Sequence, residues 1–79
     1  MDIFIALADP TRRHIIESLG GNERAFGDIA ERYEMSRPAV SQHLKVLREA
    51  GLVSVRKDAQ RRLYRVNANG LDAMDQWLT

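Results

Sequence analysis

The 79-residue sequence contains no cysteine. Disulfide staples and thiolate metal sites are therefore excluded. Histidine is also scarce, with only His14 and His43. Zinc needs three or four clustered ligands, so no metal site is expected. The longest uncharged apolar run, Ile3 to Ala8, is far short of the roughly 20 residues of a membrane span. Asp2 stands where a secretory leader carries a basic start. These absences predict a cytoplasmic protein with no membrane partner. There is no glycine-rich phosphate loop, and so short a chain has no cleft in which to desolvate an acid–base pair. No enzyme and no cofactor is expected.

A chain of this length makes one domain, residues 1–79, with a thin core. It has no internal repeat, low-complexity tract or linker. With no staple available, self-association is the remaining source of stability.

Charge is unevenly spread. The whole chain carries a net charge of +1, but residues 36–66 hold eight lysines and arginines against two acids, a net +6. Residues 1–35 are net −3 and the tail net −2. A basic block within a near-neutral chain suggests one anion-binding face. A solvated charged surface is the plainer reading of the same composition.

The hydrophobic pattern orders the elements. Residues 2–8 read as a short apolar helix. Asp9-Pro10 then starts a second helix, because Asp caps well and proline tolerates the first helical position. Ile15, Ile16 and Leu19 give this helix its apolar stripe, and Gly20-Gly21 ends it. Phe26, Ile29, Ala30 and Tyr33 predict a helix over 26–33, and Glu34-Met35 a tight turn. Ser36 caps a helix that tolerates Pro38 in its first turn and runs to Ala50 before Gly51. The period then changes to two. Val53 and Val55 alternate with polar residues, as do Tyr64 and Val66, with Lys57–Arg61 as the hairpin loop. Helical periodicity returns from Asn69. The predicted fold is mainly α with a small β-hairpin, a winged helix-turn-helix of order α-α-α-α-β-β-α. Residues 26–50 form the helix-turn-helix, 52–67 the β-wing, and 1–8 and 69–79 the end helices.

At about 100° per residue, Val40, Leu44 and Leu47 fall within roughly 60° of one another and face a core. Pro38, Ser41, Gln42 and Lys45 project on the other side, and Ser36 and Arg37 stand at the helix N-terminus. Short, polar and basic groups there suit the major groove: Gln can bond adenine bidentately, and Arg or Lys can reach guanine or phosphate. An amphipathic surface helix would show the same stripe. The hairpin that follows supplies Arg56, Lys57, Gln60, Arg61 and Arg62, suited to phosphates or the minor groove. Its plainer reading is an edge hairpin kept soluble by charge. Helix, tight turn, helix and basic hairpin in succession favour double-stranded DNA as partner. The alternative is a winged-helix protein-interaction module without DNA binding.

Three stretches carry a resemblance: Ala8-Asp9-Pro10-Thr11-Arg12-Arg13, Asp28-Ile29-Ala30-Glu31, and Ser36-Arg37-Pro38-Ala39-Val40-Ser41-Gln42-His43-Leu44-Lys45 continuing to Val53. With Arg61-Arg62-Leu63-Tyr64-Arg65-Val66, the chain resembles the ArsR/SmtB family of transcriptional repressors, closest to its cysteine-free, autorepressor-like branch. The resemblance implies a homodimer built from the first and last helices, binding an inverted-repeat operator. It also implies contacts from Arg37, Pro38, Ser41 and Gln42. The family's paired-cysteine motif is absent, since the equivalent stretch reads Arg24-Ala25-Phe26-Gly27-Asp28. Asp72 and Asp75 lack the histidine ligands of the last-helix motif. The resemblance leaves the small-molecule effector unknown. The wing tip often carries glycine in this family and here reads Asp58-Ala59-Gln60.

The end segments hold more apolar residues than a lone small domain needs: Ile3, Phe4 and Leu7 at the start, Leu71, Met74, Trp77 and Leu78 at the end. They are expected to form the self-complementary dimer interface.

Overall fold

The computed structural model describes residues 2–78, and side chains over residues 2–76. The expected interface side chains Trp77 and Leu78 lie outside the described residues. Helix α1 spans Ile3–Leu7, capped by Asp2, whose carboxylate accepts from the Phe4 N–H at 2.7 Å. Helix α2 spans Pro10–Leu19, with Asp9 accepting from the Arg12 N–H at 3.0 Å and proline in the first turn. Partial burial pushes the Asp9 carboxyl up. The N–H groups of Arg12 and Thr11 and the charges of His43 and Arg12 outweigh it and hold the group below its ordinary value.

A five-residue helix cannot hold itself in water. Two arginines on α2 hold α1. Arg12 donates through Nε to Ala6 O at 2.6 Å and through Nη2 to Ile5 O at 3.2 Å. Arg13 donates through Nη1 to Leu7 O at 2.7 Å. Ala6 O and Leu7 O are carbonyls that a short helix leaves without helical partners, at the end where its dipole favours cations, and Ile5 O takes the guanidinium in addition to the Ala8 N–H at 3.2 Å.

Strand β1 is Arg24–Ala25, β2 Val53–Asp58 and β3 Arg61–Val66, in the antiparallel order β1-β3-β2. The sheet has three strands where the sequence predicts two, because a two-residue strand shows no period. Helix α3 spans Phe26–Ala30, shorter than the expected 26–33. Past Ala30 the chain tightens to i→i−3 bonds, Arg32 N to Ile29 O and Tyr33 N to Ala30 O, both 3.2 Å. Tyr33 still packs against the core, which explains its place in the helical pattern.

Helix α4 spans Arg37–Glu49, with Ser36 Oγ accepting from the Ala39 N–H. Val40, Leu44 and Leu47 are completely buried. Each contributes about 1.5–3 kcal/mol as an upper estimate, and the three together outweigh the caps. The helix ends in a Schellman motif. Gly51, at φ +76°, donates to Arg48 O, and Leu52 donates to Leu47 O, both at 2.9 Å. Leu52 thereby enters the core beside Leu47.

Helix α5 spans Ala68–Leu78. Asn67 joins it to the end of α4: its Nδ2 donates to Gly51 O at 2.6 Å, while its Oδ1 accepts from the Gly70 N–H at 3.0 Å. Two of the expected interface residues are corrected here. Leu7 is 1% exposed and Met74 6%, so both belong to the chain's own core. The stripes of α1 and α5 serve the interior first. Among the described residues no helix is long and apolar enough to cross a membrane.

Gly70 is buried, and a Cβ there would overlap Leu52 O and come within 2.6 Å of Val66 Cγ1. Alanine gains at most about 1 kcal/mol of helix propensity. Displacing a helix from a backbone carbonyl costs typically 1–3 kcal/mol. Gly70→Ala is therefore expected to lower the thermal midpoint by several degrees, measurable by calorimetry. A midpoint at or above wild type would show that the helix propensity wins.

Candidate nucleic-acid interface

Ser36, Arg37, Pro38, Ser41, Gln42 and Lys45 are all exposed, the last four on the side of α4 away from its buried stripe and the first two at its N-terminal end. The Arg37 guanidinium sits 5.8 Å from the Phe26 ring centroid, which ties the start of α4 to α3 by a cation–π contact. Lys45 lies 4.0 Å from Glu49, one turn on.

An open groove of about 530 Å³ separates the start of α4 from the wing. Arg37 and Ser41 line one wall, and Gln60, Arg61, Arg62 and Tyr64 the other. Ala25, Phe26, Gly27 and Asp28 form its floor. The sequence predicts the two halves separately, and the fold brings both to one concave surface.

Strand register sorts the wing residues. Val55 faces Tyr64 and Lys57 faces Arg62, so these four share one face of the ribbon. Arg62 and Tyr64 line a cavity with Ser41, Leu44 and Lys45, which identifies that face as the one toward α4. Arg56, Asp58, Arg61 and Leu63 occupy the other face. There Arg56 is held by Glu23 through two hydrogen bonds of 2.8 Å. Arg56, Leu63 and Ala25 are register neighbours across the three strands, so Arg56 reaches Glu23 across Leu63, which is 5% exposed. The hydrogen bond from Arg56 holds the Glu23 carboxyl below its ordinary value, and Glu23 raises Arg56 in return. Arg56, expected to contact DNA, is thus also paired within the chain while its side chain stays 59% exposed. Periodicity shows that a residue is exposed, not which partner it has.

The hairpin is tighter than expected. Lys57 and Asp58 belong to β2 and Arg61 begins β3, leaving Ala59-Gln60 as the loop. Ala59 takes φ +57°, the left-handed region that favours glycine. Arg61 lies 3.8 Å from Asp58 across the turn.

Sequence reasoning missed Arg48. It is exposed in the last turn of α4 and lines two cavities with Arg62. Its spacing of three from Lys45 was the available signal. The two histidines lie apart. His14 Nδ1 is 2.7 Å from Tyr33 Oη, with the rings edge to face. His43 Nδ1 is 3.4 Å from Arg12 Nη1 and 3.9 Å from Asp9 Oδ2. Burial raises the Tyr33 phenol.

A second exposed feature is apolar. Phe4, Ile5 and Leu71 are 66%, 61% and 49% exposed. A cavity of about 360 Å³ between α1 and α5 is lined by Ile3, Phe4, Asn69, Asp72, Ala73 and Gln76. Ile5 was not expected here. It stands out only once α1 is docked and Ala6 and Leu7 turn inward.

The sequence model described as "Bacterial regulatory protein, arsR family" matches residues 9–55. The transcriptional repressor SdpR of Bacillus subtilis is 36% identical over 77 residues, covering 98% of this chain and 86% of SdpR. The transcriptional activator HlyU of Vibrio cholerae is 40% identical over 73 residues, covering 92% of this chain and 68% of HlyU. A solved structure described as a possible transcriptional regulator for arsenical resistance superposes with a TM-score of 0.87 at 40% identity. It covers 99% of this chain and 81% of that one.

The left-handed Ala59 yields a stability test. A non-glycine residue in that region costs roughly 1–2 kcal/mol, partly offset by the greater freedom glycine has when unfolded. Ala59→Gly is expected to raise the thermal midpoint by a few degrees. A lower midpoint would mean that the turn is not under strain.

Proposed function

The chain belongs to the arsR family of bacterial regulatory proteins, and from that premise we propose that it represses transcription by binding an inverted-repeat operator as a homodimer. One observation carries this reading. The polar start of α4 and a cationic wing, some 20 residues apart in sequence, form the two walls of one groove while the apolar side of α4 is sealed in the core. A protein-interaction surface has no need of that charge. A duplex does, because phosphate contacts dominate affinity.

Four roles divide the site. Gln42 and Ser41 read base edges from the first turns of α4. Arg37, Lys45, Lys57 and Arg62 meet the backbone and set register. Pro38 and Ser36 fix the entry of the helix. Gln60 and Arg61 lie at the tip, where a narrow groove admits them. Repression needs only that the bound protein occlude the operator, and SdpR is a repressor. HlyU is an activator, so reporter transcription with and without the protein decides the sign.

The partner across the two-fold axis is a second copy, docked through Ile3, Phe4, Ile5 and Leu71. The α1 and α5 surfaces adjoin one cavity and leave large side chains in water. Pairing buries them and sets two recognition helices about 34–36 Å apart, one turn of B-DNA.

Selection of bound sequences from random DNA tests the central claim, and an inverted repeat is expected. Gln42→Ala should relax one position per half-site, since a bidentate contact discriminates by about 1–3 kcal/mol. An identical consensus from both proteins removes Gln42 from base reading.

Dimerisation has its own test. Phe4→Glu with Leu71→Glu should sediment as a folded monomer and lose operator affinity by orders of magnitude, because the second half-site no longer gains from effective concentration. A wild-type monomer at tens of micromolar would refute the interface.

A further inference from the structure

Arg48 and Arg62 come from different elements, the last turn of α4 and the second wing strand. They line the same two cavities, each of about 260 Å³. One cavity leads toward Ser41 and Lys45, the other toward Val55, Arg56 and Lys57. Among the described residues, neither guanidinium has an acid within ion-pair distance, whereas Arg56, Arg61 and Lys45 each have one. The fold thus gathers two cations and leaves them without a counter-charge. Like charges in one place repel, and a polyanion relieves that repulsion.

We infer that Arg48 and Arg62 form a clamp for the DNA phosphodiester backbone, at the far end of the recognition helix from its base-reading turns. This rests on the DNA-binding reading above and adds a site to it. Arg48 lies 11 residues beyond Arg37, about 16 Å along the axis. Side chains at that distance from the inserted N-terminus flank the groove and meet phosphates, whose contacts position the protein without reading sequence. The guanidinium fork suits a phosphate's paired oxygens. Lys57, register partner of Arg62 on the same ribbon face, continues the cationic track toward the wing tip. A cation in the last turn of α4 also complements the helix dipole. That role affects stability and not the salt dependence of binding.

The test measures affinity against salt for the dimer, on the selected operator and on a duplex of random sequence. Arg48→Gln should lower both affinities by a similar factor and flatten log affinity against log salt by about 0.9 per protomer. Its selected consensus should match wild type, and Arg48→Lys should retain the slope. Phosphate-ethylation interference should lose a backbone signal in each half-site. Arg65→Ala, on the opposite ribbon face and lining neither cavity, is the control and should keep the wild-type slope. An unchanged slope and interference pattern in Arg48→Gln would overturn the clamp while leaving DNA binding intact. So would a lowered thermal midpoint without a change of slope, or an altered consensus. If wild type binds no duplex in a salt-dependent way, the DNA reading falls and the clamp with it.

Discussion

Everything this molecule presents outward depends on the burial of Val40, Leu44 and Leu47. They sit at 0% exposure on one side of α4. Their combined burial outweighs any polar contact that α4 makes. Rotating the helix about its own axis would bring apolar groups into water and force Gln42 or Lys45 into the core. The recognition surface is therefore specified negatively, as the side of the helix that the core does not take. The Schellman ending fixes the other end of α4 by sending Leu52 inward, and the wing starts from that point. One stripe thus sets both the rotation of α4 and the origin of β2.

The second organising contact is polar. Arg12 and Arg13 replace the helical partners that α1 lacks, using guanidinium donors at its C-terminal end. Arg12 extends as far as His43 on α4. The helix that carries the exposed apolar side chains is thus bonded to α2, and through α2 stands next to the recognition helix. In a dimer built through α1 and α5, shifts at the two-fold axis would reach the DNA face through rigid neighbours.

Much of this was legible in the sequence. The caps Asp9 and Ser36, the stop at Gly51 and the change of period after it place α2, α4 and the ribbon, because each rests on a strong local preference. The exposed residues proposed to face DNA follow from the same periodicity. What escaped was non-local. Strand β1 exists only because β3 offers it an edge. Leu7 and Met74 looked like interface until the fold showed them inside, since an apolar residue carries no mark of which surface will cover it. Arg56 looked free until Glu23, 33 residues away in sequence, was brought within 2.8 Å. Arg48 gained meaning only beside Arg62. Sequence gives each residue's direction from its own element, and tertiary pairing decides what it meets.

The order β1-β3-β2 divides β3 into two parts. Leu63 and Tyr64 are bonded on both edges, to β1 and β2, while Arg61 and Arg62 are bonded on one. The ribbon is anchored at its root and free at its tip, like a cantilever. Added cross-strand pairs at the tip would extend it by about 3.3 Å each, without touching β1, Leu63 or the core. The reach of the wing is thus an adjustable length in this architecture, one that can drift between relatives while α4 stays where its three buried side chains hold it.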